Sequence, residues 1–275
     1  MARTDSPAGA VLAEPTRRDW LGLATLATGL GMIVLDGTIV GVALPDMARE
    51  LRLDITDAQW VGSLYAVVLA GLLLLAGRLA DRWGRKRMFL GGIVVFLAGS
   101  ALAAAAGAAA PLIAARAVQA LGAAAILPST LSIVNATFRG RSRAAAFGVW
   151  GAVISGAAAV GPLAGGALTQ YASWPWIFLV NLPLGVVILV AAAFAVRESR
   201  GAGRGEGLDV VGVLLSAGGF GVCVYAVIEG TSLGPWMVAL LVAGLGIVGM
   251  FVWWERARAR RGAAVLLDIG LFRLR

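Results

Sequence analysis

The sequence predicts an all-α membrane protein with eight membrane-spanning helices. Of its 275 residues, 60% are hydrophobic and only 14% are charged, a balance that no soluble core of this length requires. The apolar residues form eight long runs, and a helix needs about 20 such residues to cross roughly 30 Å of hydrocarbon. Because the runs are continuous rather than alternating, they favour helices over barrel strands.

The eight predicted spans fall into a group of six and a group of two. Their limits are residues 20–44, 60–77, 88–107, 112–130, 144–169, 174–196, 210–228 and 235–254. Between the groups, residues 197–209 place glycines among charged residues, which indicates a flexible cytoplasmic linker. The sequence thus predicts a cytoplasmic tail (1–19), a six-helix bundle (20–196), the linker (197–209), two additional helices (210–254) and a second cytoplasmic tail (255–275).

The basic residues predict how the chain is oriented. A formal charge of +8 could indicate a nucleic-acid partner. If the N-terminus is cytoplasmic, however, only two of the 23 Lys and Arg residues, Arg49 and Arg52, fall in outside segments. Arg116 lies within a span, and the others lie in inside segments. This bias follows the positive-inside rule. We therefore expect a multi-pass protein of the plasma membrane, with both termini cytoplasmic, the lipid bilayer as a partner and no nucleic acid.

The titratable residues limit the chemistry. The chain has no histidine and a single cysteine, Cys223. Histidine is the usual group that titrates near neutral pH, so any proton coupling must run through carboxylates. The sequence shows no metal-binding cluster and no nucleophile elbow. It therefore predicts neither an enzyme nor a bound cofactor or metal.

A glycine-bounded basic loop joins the second and third spans, with the sequence GRLADRWGRKR from Gly77. Composition alone would make it a positive-inside anchor. Its spacing, Gly-x-Leu-x-Asp-Arg-x-Gly-Arg-Lys, resembles the signature loop of the major facilitator superfamily. In that family the Asp and Arg residues stabilise the closed cytoplasmic gate. The resemblance implies a gate loop here, formed by Gly77, Asp81, Arg82, Gly84, Arg85 and Lys86.

Asp36 places a carboxyl group inside the first apolar run. Such residues are costly in a membrane and usually face an internal pathway, although a position close to the outer surface would keep the group hydrated. Residues 35–45 resemble the first-helix motif of the fourteen-helix drug:proton antiporter family, with Gly41 where an Asn is usual. The resemblance implies that Asp36 takes part in proton coupling, with the proton gradient as the energy source.

Arg116 and Gln119 lie three residues apart, on one face of the fourth predicted span. Arg116 could instead extend to the membrane edge. The pair resembles the superfamily's Arg-x-x-Gln-Gly motif, with Ala120 in place of the Gly. At ~1.5 Å per residue, Asp36 lies roughly 12 Å and Arg116 about 6 Å below the outer ends of their predicted helices. A long arginine side chain can close this gap, so we expect the two residues to meet on the substrate pathway.

The fifth and sixth spans carry two further patterns. Glycines and a proline in the fifth predict a close-packing, bent helix. Its central run resembles the fifth-helix motif of drug exporters, formed here by Gly156, Gly161, Pro162, Gly165 and Gly166. Residues 174–185 resemble the opening of the family's sixth helix, with Pro175 replacing an Arg, and Trp174 and Trp176 are predicted to anchor it at the membrane interface.

The resemblance implies the N-terminal portion of such a transporter. Residues 266–273 resemble the segment before the family's second six-helix bundle. Substrate sites in this superfamily lie between the two bundles, so we expect the C-terminal half to be lacking. The chain is therefore predicted to resemble a proton-coupled exporter of lipophilic, cationic small molecules that acts with a second copy or a separately encoded C-terminal half. The alternative is a non-transporting fragment or interaction subunit.

Overall fold

The computed structural model describes residues 14–201, 209–230 and 234–260. Within these ranges the regular structure is entirely helical, and eight segments are long and apolar enough to cross a membrane. The predicted fold class is thereby confirmed. The helices are α1 Arg17–Leu51, α2 Ile55–Trp83, α3 Arg85–Ala104, α4 Ala109–Thr137, α5 Gly140–Tyr171, α6 Trp176–Leu179, α7 Asn181–Ala195, α8 Val210–Ile228 and α9 Trp236–Arg260. The sixth span consists of α6 and α7.

Several helices extend well beyond the apolar runs that predicted them. The first was expected to span residues 20–44, but α1 continues through Pro45 to Leu51. Thr16 caps its start by accepting a hydrogen bond from the Asp19 N–H (3.3 Å), and Arg52 ends it in a left-handed conformation with φ of 54°. Apolar residues mark only the part of a helix that lies in lipid, so its polar terminal turns were missed.

A polar layer divides the interior of the bundle. One apolar cluster contains Leu26, Phe89 and Phe96. The other contains Met47 and Phe178. Between them, α1, α3, α4 and the junction of α6 and α7 contribute the buried polar residues described below. One end of the bundle carries the start of α1 and the connections α2–α3 and α4–α5. We call it the basic end.

Within the described residues, the most extensive contact between two helices joins α3 to α4. A Cβ at Gly92 would lie 2.8 Å from the Gly122 carbonyl oxygen, and one at Gly122 would lie 2.5 Å from the Phe96 backbone nitrogen. Small residues allow membrane helices to approach this closely. The adjacent Gly91 meets nothing within 4 Å.

Gly92→Ala is therefore expected to destabilise the protein by about 1–3 kcal/mol, the usual cost of overpacking. Gly91→Ala is the matched control. It should be neutral or stabilising by up to about 1 kcal/mol, since alanine favours a helix over glycine. Unfolding of the purified protein in detergent measures both, and equal effects at the two positions would contradict the packing shown here.

Two of the motif glycines of α5 pack closely on another helix. Gly161 lies against Thr38, and a Cβ at Gly165 would lie 3.2 Å from the Ile39 carbonyl oxygen, so these two glycines pack on α1. A Cβ at Gly156 or Gly166 would meet nothing within 4 Å in the described structure. The close packing is therefore seen on one side of α5 only, because helix periodicity places these glycines on different sides.

The additional helices form a pair that packs on α2 through α8. The Trp60 indole donates to Glu229 Oε1 over 3.2 Å at one end. At the other end, Asp209 caps the N-terminus of α8. It accepts hydrogen bonds from the Gly212 N–H (2.9 Å) and the Trp254 indole (3.0 Å). Since α9 reaches Arg260, the tail predicted from residue 255 begins as helix, and residues 261–275 lie outside the described ranges.

Candidate functional site

The polar layer is built around Asp36, near the middle of α1. Its side chain is 0% exposed, and Arg116 of α4 is only 2% exposed. Arg116 Nη1 donates to Asp36 Oδ2 over 2.5 Å. The structure thus brings together the two charged residues that the sequence singled out within the spans, and both lie away from the protein surface.

The predicted depths of these residues were wrong, although the residues do meet. Asp36 lies fifteen residues before Leu51, the end of α1, which is roughly 22 Å along the helix. Arg116 lies seven residues after Ala109, the start of α4, or about 10 Å. The two helix ends are not level, because α1 extends further at this end of the bundle. A depth counted from the end of an apolar run leaves out the polar turns that follow it, so the sequence could not reveal this offset.

Gln119 is the third predicted member of the site and is fully buried. Its Oε1 accepts a hydrogen bond from Arg116 Nη1 (2.7 Å). Its Nε2 donates to Asp36 Oδ1 (3.1 Å) and to Ser100 Oγ of α3 (2.8 Å). Gln119 therefore bridges the acid and the base and connects both to a third helix.

Asn181, at the start of α7, belongs to the site and was not predicted. Its Nδ2 donates to Asp36 Oδ1 (2.8 Å) and to Ser100 Oγ (3.3 Å). The residue is fully buried. The sequence did contain a signal for it. A polar amide side chain in an otherwise apolar span is costly in a membrane and indicates an internal position, as it did for Asp36. Ser100 gave no such signal, because a lone serine in a membrane helix is ordinary.

Asn181→Ala is expected to destabilise the fold by about 1.5–3 kcal/mol, since it removes a hydrogen bond to a charged group. Ser100→Ala removes a hydroxyl group that accepts hydrogen bonds only from neutral amide groups. It should therefore cost about 0.5–1.5 kcal/mol. Unfolding in detergent compares the two variants. If Asn181→Ala were the milder of the two, Asn181 would not be a principal ligand of the carboxylate.

The arginine is held on its other sides by α2 and α6. Arg116 Nε donates to the Val61 carbonyl oxygen (3.3 Å). The guanidinium carbon lies 4.4 Å from the centroid of the Tyr65 ring and 5.9 Å from that of Phe178. Stacking on aromatic faces stabilises a guanidinium removed from water. Six helices, α1 to α4 with α6 and α7, thus contribute to the surroundings of one buried ion pair.

The pair is withdrawn from solvent and is held by further hydrogen bonds. Transfer of two charges from water to a low-dielectric interior costs several kcal/mol per ion, which only good geometry and further hydrogen bonds offset. Here both carboxylate oxygens accept hydrogen bonds. Because Asp36 is 0% exposed, solvent does not reach its carboxyl group in this arrangement of the helices.

The residues predicted to form the gate loop lie at the basic end. All of them except Gly84 are helical, because α2 continues to Trp83 and α3 begins at Arg85. Asp81 Oδ1 accepts hydrogen bonds from Arg85 Nε (2.9 Å) and Nη2 (2.7 Å), and Arg85 Nη1 donates to the Ser132 carbonyl oxygen (3.2 Å). Gly84 joins α2 to α3 with φ of 119°, a conformation that favours glycine. Arg82 is exposed, and a Cβ at Gly77 would lie 3.6 Å from the Pro128 side chain, an ordinary contact.

Part of the predicted flexible linker packs on this loop. Glu198 Oε1 accepts from the Lys86 N–H (3.1 Å), and the Lys86 ammonium donates to the Ala193 carbonyl oxygen (2.6 Å). The N–H groups of Arg85 and Gly201 donate to the carbonyl oxygens of Ser199 (2.9 Å) and Asp81 (3.1 Å). Residues 197–201 are therefore held against the loop, whereas residues 202–208 lie outside the described ranges.

The predicted tryptophan anchors behave differently from each other. Trp176 is 51% exposed and suits an interfacial position. Trp174 is only 3% exposed, and its ring centroid lies 6.3 Å from that of Phe178 in an edge-on contact. Its prediction as an anchor at the membrane interface was wrong, because its ring is buried in the apolar cluster that contains Phe178. Among the described residues, no group of three His, Cys, Asp or Glu side chains could hold a metal ion.

In the part of the chain that the structure describes, eight membrane-length helices enclose a buried ion pair, which is the architecture of a polytopic membrane protein. The chain belongs to the Major Facilitator Superfamily, which it matches over residues 26–254. It is 42% identical over 245 residues to the puromycin resistance protein of Streptomyces alboniger, covering 88% of this chain and 48% of that protein. It is 39% identical over 259 residues to the multidrug resistance protein Stp of Mycobacterium tuberculosis, covering 91% and 47%.

The comparison with solved structures shows the fold. The POT-family transporter PepTSo matches with a TM-score of 0.65 at 18% identity, over 92% of this chain and 56% of that one. The family predicted from the sequence motifs is confirmed by the family match over residues 26–254 and by the curated relatives. The chain spans about half the length of the curated relatives it matches.

Proposed function

We propose that this chain supplies the N-terminal half of a proton-coupled exporter of lipophilic, cationic small molecules. The observation that carries the proposal is the fully buried Asp36, held by Arg116, Gln119 and Asn181. Intramembrane carboxylates at internal positions are typical of proton pathways. The resistance proteins among the relatives support export as the direction of transport.

The chemistry of the pair suggests how coupling would operate. Asp36 and Arg116 form the ion pair of the polar layer, and both side chains are withdrawn from solvent. A cationic substrate that approaches the carboxylate competes with the proton and with Arg116 for the same negative charge. Within the described residues, the Tyr65 hydroxyl and Asn181 Oδ1 are buried without a hydrogen-bond partner. Such atoms are sites where water can bind as the helices separate.

The same proposal assigns an orientation. The basic end, with the gate loop and the arginines near the start of α5, would face the cytoplasm under the positive-inside rule. The membrane would be the plasma membrane, since efflux out of the cell requires it. Asp81 and Arg85 would then lie at the cytoplasmic gate.

Transport in this superfamily needs a second bundle. The side of α5 that carries Gly156 and Gly166 meets nothing in the described structure, which leaves a face where another bundle can pack. A second copy of the chain or a separate polypeptide can supply it. The competing function is that of a non-transporting fragment or interaction subunit.

Reconstitution separates these functions. The purified chain in liposomes is expected to export a lipophilic fluorescent cation when a proton gradient is imposed, and to lose this flux when an ionophore collapses the gradient. Its oligomeric state is measured in the same detergent. A monomer without flux would discard the autonomous transporter and leave the interaction subunit.

A further inference from the structure

A cavity of about 530 Å³ lies at the basic end, between the start of α1 and the connection from α4 to α5. Neither the buried ion pair nor the gate loop contributes to it. Its lining combines two arginines, one acid, an aromatic ring and two hydroxyl groups, from Arg139, Arg141, Glu14, Trp20, Thr137 and Ser142. With two positive charges and one negative charge, these side chains carry a formal net charge of +1.

The arginines of this cavity are available to a ligand. Arg139 and Arg141 are exposed, and neither forms an ion pair within the described part of the chain. The turn that carries them is fixed, because Ser142 Oγ accepts from the Arg139 N–H (3.3 Å) and donates to the Arg139 carbonyl oxygen (2.7 Å). The N-terminus of α5, which begins at Gly140, adds the positive end of a helix dipole.

Trp20, near the start of α1, gives the cavity an apolar wall. Its ring lies edge-on to Phe138, with centroids 5.1 Å apart, and the residue remains 36% exposed. Tryptophan is enriched where the hydrocarbon meets the headgroups. The cavity also lies where α1, α4 and α5 reach the end of their spans. A ligand held here can keep a charged group on the arginines and an apolar chain beside Trp20.

We propose that this cavity binds the headgroup of an anionic phospholipid from the leaflet at the basic end. Two guanidinium groups match the oxygens of a phosphodiester, and basic pockets between membrane helices suit anionic headgroups. The net charge of +1 balances one monoanionic phosphate. Free phosphate has no apolar chain to place against Trp20, and a zwitterionic headgroup has no net charge to balance.

Native mass spectrometry of the purified chain tests the proposal. The chain in neutral detergent is titrated with phosphatidylglycerol or with phosphatidylcholine of the same acyl chains. Phosphatidylglycerol is expected to bind more tightly. Arg139→Gln/Arg141→Gln should weaken its binding roughly tenfold to thirtyfold, because each basic residue near an anionic surface contributes about fivefold. Glu14→Gln should strengthen binding, since it removes the acid from the lining.

Arg256→Gln/Arg260→Gln is the matched control, since it removes the same charge from exposed positions at the end of α9. It should leave phosphatidylglycerol binding unchanged. Three results would each overturn the proposal. They are an equal loss of binding in this control, equally tight binding of phosphatidylcholine, and displacement of the lipid by equimolar inorganic phosphate. Each variant's thermal transition is compared with that of the parent protein. If the double variant does not fold, the single Arg139→Gln and Arg141→Gln variants replace it, each with an expected loss of about fivefold.

Discussion

Asp36→Asn is expected to abolish proton-driven export, with a loss of about 100-fold or more, the scale on which a single proton-transfer group contributes. Asparagine keeps the size and shape of the side chain, but it replaces one accepting oxygen by a donating amide group and cannot exchange a proton. The measurement is efflux driven by an imposed proton gradient, in liposomes or in cells that express the chain. Infrared spectroscopy gives a second readout, since the carboxyl band that appears on protonation of Asp36 should be missing in the variant.

Asp46→Asn is the control for this experiment. Asp46 lies near the end of the same helix, is only partly buried and pairs with Arg49. Its replacement should leave export unchanged, because an exposed pair contributes little and lies outside the polar layer. Undiminished proton-driven flux in Asp36→Asn would remove this residue from the coupling mechanism.

Arg116→Gln is expected to destabilise the protein by about 3–5 kcal/mol, the usual cost of breaking a buried ion pair by removal of one partner. The variant leaves the Asp36 carboxylate buried without its cation and also removes the contacts with Val61 and Tyr65. Denaturant unfolding in detergent measures the loss. Arg49→Gln should cost less than about 1 kcal/mol, since its partner Asp46 is partly exposed.

The double variant Asp36→Asn/Arg116→Gln separates stability from function. Two neutral amides can hydrogen-bond to each other, so we expect much of the stability to return. The coupling between the positions should amount to about 0.5–3 kcal/mol, as for other residues in contact. Export should remain absent, because no titrating group is restored. Strictly additive losses of stability would show that the two side chains do not interact in the folded protein.

The gate loop illustrates how much a motif can predict. The spacing from Gly77 to Lys86 placed the loop between two spans and singled out Asp81 and Arg85, which do contact each other. It could not predict that Glu198 and Ser199 pack on this loop, since they lie more than a hundred residues further along the chain. Glycine and charge content indicated a flexible segment there, and contacts between distant parts of the chain overrode that local signal.

By itself, the sequence determined the number of spans, the family and the charged residues of the polar layer. Each of these follows from a local property: the length of an apolar run, the spacing within a motif, or the cost of one ionisable side chain in lipid. Only the tertiary structure added Asn181 and Ser100 to the carboxylate and placed Gly161 and Gly165, but not Gly156, against α1. These depend on how the helices are rotated and offset against one another, which packing decides over the whole bundle.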